Sequence, residues 1–287
     1  MAGELAAAYH SGAQRARVVT ESWGEQNFYC PNCNSPKLNR LRQNTKASDF
    51  RCPDCQFWFQ LKGQKSAIGA SITDGAYRAM MEAIRHDEMP SFYFMHYDLA
   101  TWSVRNLLLV PHFAFPPSAI IKRKPLSPTA RRAGWVGCNF DLSRVPVEAR
   151  ISVVAESAIL PATEVREQFR RVKPLQDIAV TQRGWTLDVL TAVRRLVESR
   201  RRGLPGHSCS AKAGDETPFE GSEVEQRLLT SSPTNEFATA DVYAFARELE
   251  KLHPDNRHVR DKIRQQLQVL RDAGLLLHVE RGVWKLP

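Results

Sequence analysis

No stretch of this chain approaches the roughly 18 consecutive apolar residues of a membrane span, and no charged-then-apolar leader opens it. Both absences predict a soluble, cytoplasmic protein of the prokaryotic intracellular type. Cysteine is scarce, six in 287 residues, and four of the six fall in two C-x-x-C pairs. That usage excludes a disulfide scaffold and implies a reducing compartment, with Cys138 and Cys209 left as free thiols. No internal repeat is apparent. Acid is short of base, 31 Asp and Glu against 40 Lys and Arg, for a net charge of +9. A surplus of that size favours a polyanionic partner, nucleic acid by default, although many basic proteins merely stay soluble. The length suits two domains rather than one.

What is present starts with the cysteines. CPNC and CPDC place Cys30, Cys33, Cys52 and Cys55 as C-x2-C-x18-C-x2-C, the spacing of a zinc ribbon, in which each knuckle aims two thiolates at one tetrahedral ion. Four free thiols are the plainer alternative. The second knuckle lies between Asp49 and the strand-like FWFQLK, so a hairpin there would bring Asp49 beside that strand. Alternation sends Phe57, Phe59 and Leu61 to one face and Trp58, Gln60 and Lys62 to the other. A carboxylate, then a polar oxygen ligand and a lysine two residues apart, is the layout of PD-(D/E)XK nucleases. There, oxygen ligands hold Mg²⁺ against a phosphate and the lysine orients or activates the attacking water. The plainer alternative is a solvated strand face.

Around this segment the pattern is mixed α/β. Residues 2–19 read as an alanine-rich helix ending before Trp23. AYRAMMEAI reads as a helix after Thr73-Asp74-Gly75, Phe92 to Tyr97 and Val104 to Val110 as strands, Ile151 to Ala155 as a strand and Thr163 to Val172 as a helix. From Lys122 to Arg132 five of eleven residues are basic and none is acidic, with Pro125, Pro128 and Gly134 preventing a long regular element. Such a loop suits phosphate contacts through Arg131 and Arg132. Trp135 either presents its indole to a base or anchors the loop in the core.

The domain boundary is expected near Gln182-Arg183-Gly184, giving a catalytic domain of 1–182 and a second of 183–287, with 200–236 a flexible insertion. Thr186 is read as the cap of a helix and Thr239 as the cap of the next. The third helix, His258 to Asp272, carries Val259, Ile263, Leu267 and Leu270 on one side and Arg260, Arg264, Gln265, Gln268 and Arg271 on the other. With the two strands that follow and Arg281 at their turn, this makes a winged helix. Arginine and glutamine on its third helix match guanine and adenine edges in the major groove. A winged helix that binds protein is the alternative.

Taken together, the knuckles, SDF…FQLK, TDGAY, RKPLSPTARRAGWVGCN, RGWT and HVRDKIRQQLQVLRD resemble the DpnI-type methyl-directed restriction endonucleases through most of the chain. That resemblance implies an N-terminal PD-(D/E)XK domain with structural zinc and a C-terminal winged helix, both reading GATC that carries N6-methyladenine. It also implies Mg²⁺-dependent hydrolysis by Asp49, Gln60 and Lys62, and methyl sensing by Trp135; the protein is expected to be a monomer. One residue departs from the pattern: Gln60 stands where the family has glutamate, removing a negative charge from the metal site. Glu82 is a candidate replacement ligand, Asp54 a poor one. A reader of methylated DNA without catalysis is the alternative function.

Overall fold

The computed structural model describes residues 1–42, 48–202 and 235–287. These form two compact units, Met1–Asp188 and Val189–Pro287. Residues 203–234, most of the expected insertion, lie outside the described residues.

The first unit opens with helix α1 (Gly12–Asn27), then β1 (Asn39–Arg40), β2 (Phe50–Arg51), β3 (Trp58–Gln64), β4 (Ser71–Ala76) and helix α2 (Tyr77–Arg85). Next come β5 (Ser91–Tyr97), β6 (Val104–Val110), β7 (Ile120–Lys122), β8 (Gly137–Asp141), β9 (Ile151–Ala155), β10 (Ala158–Ile159), α3 (Ala162–Val172) and α4 (Val180–Arg201). Seven strands make a mixed sheet in the order β1-β2-β3-β5-β6-β9-β10, and a second sheet has the order β4-β8-β7. β3 and β5 run parallel, Gln60 beside Phe92 and Lys62 beside Phe94. Parallel neighbours need a long crossover, which β4 and α2 supply.

β5 is central, and its sequence SFYFMHY is almost wholly buried, as expected of a strand covered on both faces. Alternate residues therefore serve two cores. Tyr93 stacks on Phe28 at 4.2 Å and leans on Phe59, joining the sheet to the segment after α1. Phe92 and Phe94 meet Phe140 of the second sheet at 4.8 and 5.7 Å. β3 thus lies between an α1 side and a β4–β8 side.

Two helix boundaries differ from expectation. α1 begins only at Gly12 and runs past Trp23, because burial of Val19, Thr20, Glu21 and Gly24 against the sheet decides its span rather than alanine content. α4 starts at Val180, so Thr186 is interior and its hydroxyl donates to the Gln182 carbonyl at 3.2 Å instead of capping. Arg183, in the first turns of α4, is held by Asp87 at 2.6 and 3.3 Å and by the carbonyls of Gln176 and Ile178.

After β6, the largely buried His112 lies against Ser91, whose hydroxyl oxygen accepts the His112 backbone N–H at 3.1 Å. Burial drives its pKa from the ordinary 6.5 to about 4, with Asp87 opposing and Arg183 assisting. Because the folded value lies below the unfolded one, this stability is present above about pH 6.5 and is lost as pH falls to 4. The difference amounts to about 3 kcal/mol, each pKa unit being worth about 1.4 kcal/mol. Urea denaturation of the wild type and His112→Gln between pH 7.5 and 4.5 checks this: the variant should show a shallower fall, and parallel curves would refute it.

The second unit contains the end of α4, β11 (Glu236–Ala238), α5 (Thr239–Val242), α6 (Ala246–Leu252), α7 (Val259–Asp272), β12 (Leu277–Glu280) and β13 (Val283–Lys285). Its wing is three-stranded, β11-β13-β12, rather than the two strands expected, because Glu236–Ala238 pairs with Val283–Lys285. Thr239 is the first residue of α5 rather than its cap; the Asp241 carboxylate accepts the Ala238 N–H at 2.6 Å.

Candidate active site and zinc knuckles

The four sulfurs of Cys30, Cys33, Cys52 and Cys55 lie within 4.8 Å of one another. Cys30–Cys55 and Cys33–Cys52 are both 3.5 Å apart. Zinc–sulfur bonds of about 2.3 Å place tetrahedral sulfurs about 3.8 Å apart, so the cluster fits a zinc ion. Burial pushes the Cys30 thiol well up. At Cys52 burial also raises the thiol, but the N–H groups of Cys55 and Asp54, together with the Cys33 and Cys55 side chains, outweigh it and bring the value to about 7. Arg166 of α3 donates to the carbonyls of Cys30 and Ser35, both at 3.1 Å, which fastens the first knuckle to the body of the unit.

The second knuckle is followed by β3, and the hairpin brings Asp49 to its edge. The Asp49 N–H donates to the Phe59 carbonyl at 2.9 Å, and β2 pairs with β3 only at Phe50–Phe59 and Arg51–Trp58. Among the described residues no strand pairs with that edge beyond Phe59. There the Asp49 carboxylate accepts the Leu61 N–H at 2.8 Å, which places it at the residue between Gln60 and Lys62. Burial raises the Asp49 carboxyl above its ordinary value; the Leu61 N–H opposes this, Glu21 adds to it, and Lys62 and Arg17 oppose it. Glu21 of α1 is itself only 8% exposed and bridges Arg17 and Arg40, both at 2.6 Å.

Gln60 is half-buried, and its amide makes no hydrogen bond to another described residue. Lys62 runs over the Phe92 ring, its nitrogen 6.0 Å from the centroid, to an ion pair with Asp74 of β4. The Asp74 side chain is 3% exposed. A cleft of about 630 Å³ opens beside β3, lined by Arg17, Thr20, Glu21, Lys62 and Thr73 among others. The structure brings Asp49 to the residue between Gln60 and Lys62, and it also sets two largely buried carboxylates near them that the sequence did not point to, Glu21 and Asp74. Glu82 instead pairs with Arg78 at 3.0 Å on an exposed face of α2. The Asp49 carboxylate and the Gln60 amide oxygen are donors of the kind a hard divalent cation takes, with one carboxylate fewer than two carboxylate ligands would supply.

Arg131 and Arg132 are exposed, and the Arg132 guanidinium lies 4.8 Å over the half-buried Trp135 ring. The indole also lies close to Gly137, where an added Cβ would meet ring carbons at 2.8 and 2.9 Å. Gly134, at φ +76°, makes the turn that delivers the indole. In the second unit α7 buries Ile263, Leu267 and Leu270 and exposes Arg260, Arg264, Gln265 and Gln268. Arg260 stacks over Tyr243 at 5.3 Å, Lys262 donates to Gln265 at 2.8 Å, and Arg264 pairs with Asp261. Arg281 is exposed at the wing turn, which Gly282 closes with φ +80°. Among the described residues no helix is long and apolar enough to cross a membrane.

Comparison with known families gives two matches. A model described as DpnI, Dam-replacing family, matches residues 1–178. One described as a Dam-replacing HTH domain matches residues 228–286.

Proposed function

The chain belongs to the DpnI, or Dam-replacing, family of restriction endonucleases, and from that premise we propose that it hydrolyses both strands of double-stranded DNA at GATC carrying N6-methyladenine. The observation that carries this reading is the Asp49 carboxylate at the edge of β3, bonded to the Leu61 N–H between Gln60 and Lys62. Asp49 and the Gln60 amide oxygen would hold Mg²⁺. When bound, that ion would polarise a phosphoryl oxygen and acidify water. Asp49 supplies the negative charge, and the Leu61 N–H fixes the rotation of its carboxylate. Lys62 donates toward the phosphate as the water oxygen bonds to phosphorus and releases its proton to bulk solvent, while the bridging P–O bond breaks and the leaving oxygen takes a proton from solvent. Zinc in the knuckles would be structural, since four thiolates leave no coordination position for water.

Recognition is assigned to two surfaces. Arg131 and Arg132 contact phosphate, and Trp135 meets the methyl groups, which lie on adjacent base pairs of the palindrome in the major groove. Burying two methyls yields about 1.6 kcal/mol, a little over tenfold in affinity. Arg260, Arg264, Gln265, Gln268 and Arg281 form the second surface, α7 entering the major groove. The second reading, a methylated-DNA reader without hydrolysis, is favoured by Gln60, which leaves the cation site one charge short.

Plasmids from adenine-methylating and non-methylating hosts, incubated with the protein and Mg²⁺, separate the readings. Cutting of the methylated plasmid alone is expected. Cutting of both plasmids sinks methyl-directed hydrolysis, and cutting of neither sinks hydrolysis. Gel-shift binding to methylated sites without cleavage, unchanged by Gln60→Glu, would establish the reader. In the same assay Trp135→Ala should narrow the methylated-to-unmethylated preference by about tenfold with folding intact. A fully retained preference, or an unfolded variant, would make Trp135 a core residue.

A further inference from the structure

Asp74 enters none of the roles assigned above, yet it is the ion partner of Lys62 and its side chain is only 3% exposed. A carboxylate is seldom buried to that extent without a reason for being there. The way it reaches the site is also specific. β4 pairs with β8 through Ile72–Phe140 and Thr73–Asn139, then resumes at Ala76–Gly137, so Asp74 and Gly75 together face the single residue Cys138. This is a β-bulge, a device that re-aims a side chain. The Cys138 thiol, 3.5 Å from the Gly75 carbonyl, ties down the bulged segment. Phe92 walls the Lys62 stem and is itself packed by Phe94, Phe115 and Phe140.

We propose that Asp74 is a positioning residue that holds the Lys62 ammonium over the reacting phosphate, an inference that rests on the nuclease reading. A lysine ammonium has three N–H donors and no acceptor. One donor is committed to Asp74, which fixes the direction of the other two toward a phosphoryl oxygen and the attacking water. Paired in this way, Lys62 works as a donor and a fixed positive charge rather than as the group that takes the proton from water.

The test uses the full chain, with Asp74→Asn and Asp74→Glu compared by single-turnover cleavage of a methylated GATC duplex in Mg²⁺ and by binding of the same duplex in Ca²⁺. Asp74→Asn should slow cleavage about 10- to 100-fold, as loss of a supporting partner typically does, while the Kd changes less than about threefold. Asp74→Glu should recover part of the rate. Equal cleavage by Asp74→Asn and wild type overturns the proposal, as does a loss of binding as large as the loss of rate. A third measurement needs no turnover. Lys62→Met strands a buried carboxylate and should lower the Tm, and adding Asp74→Asn should bring it back up. If the wild type does not cut, the nuclease reading falls by itself. Additive Tm changes in the double variant would overturn the pairing, whatever the activity.

Discussion

Lys62→Ala is expected to reduce cleavage of methylated DNA on the order of a hundred- to a thousandfold, the range for removing one donor aimed at developing charge. Asp49→Asn should lose at least as much, because it removes the one carboxylate of the proposed cation site. The two variants should differ in stability. Burial, chiefly, holds the Asp49 carboxyl above its ordinary value. The folded state therefore favours the protonated form, and its stabilising contribution is lost as pH rises through the folded pKa. At neutral pH the charged group is a burden on the fold, and Asp49→Asn should raise the Tm while abolishing turnover. The asparagine oxygen can still accept the Leu61 N–H. Single-turnover rates and thermal melts at pH 7.5 check both halves, and an Asp49→Asn protein that melts below wild type would refute the electrostatic account.

Cys33→Ser should remove zinc and stability together. The first knuckle is fastened from one side by Arg166 and the second leads directly into β3, so the ion would join α3 to the strand that bears Gln60 and Lys62. Structural zinc sites contribute folding energy outright, and losing a ligand is expected to cost several kcal/mol, a fall in Tm on the order of 10 °C for a domain of this size. Metal analysis should fall from one zinc per chain toward zero, and chelation of the wild type should reproduce the melting shift. A variant that lost zinc but kept its Tm and only lost turnover would mean that the ion serves chemistry rather than structure.

Legibility in the sequence followed the range of the interactions. The cysteine spacing is local, and the four sulfurs converge as the spacing demands. The alternation of FWFQLK is also local, and Phe59 is fully buried while Trp58 is 39% exposed. The position of Asp49 could be read because one short hairpin separates it from β3. Asp74 could not be, since its approach to Lys62 depends on a bulge between β4 and β8 and on one sheet packing over another. Glu82 was weighed as a substitute ligand on its place in sequence alone, and it sits on an exposed helix face. Glu21 was hidden for a related reason: its burial depends on where α1 starts and stops, which alanine content misjudged. Thr186 shows the limit of cap signals, since a threonine that can cap a helix can equally bond back within one.

The stretch of β3 beyond Phe59, which no described strand pairs on that side, also bears on solubility. An unpaired strand edge is a template for another chain, and proteins that keep one must blunt it. Here the outward Leu61 N–H, which an incoming strand would need, is already taken by the Asp49 carboxylate. At Gly63 the side chain of Thr20 from α1 crowds in, 3.2 Å from where a Cβ would stand. A lysine and a buried carboxylate at the same edge are poor company for a second apolar strand. The groups proposed to meet a phosphate would thereby also keep this edge from pairing with its own kind.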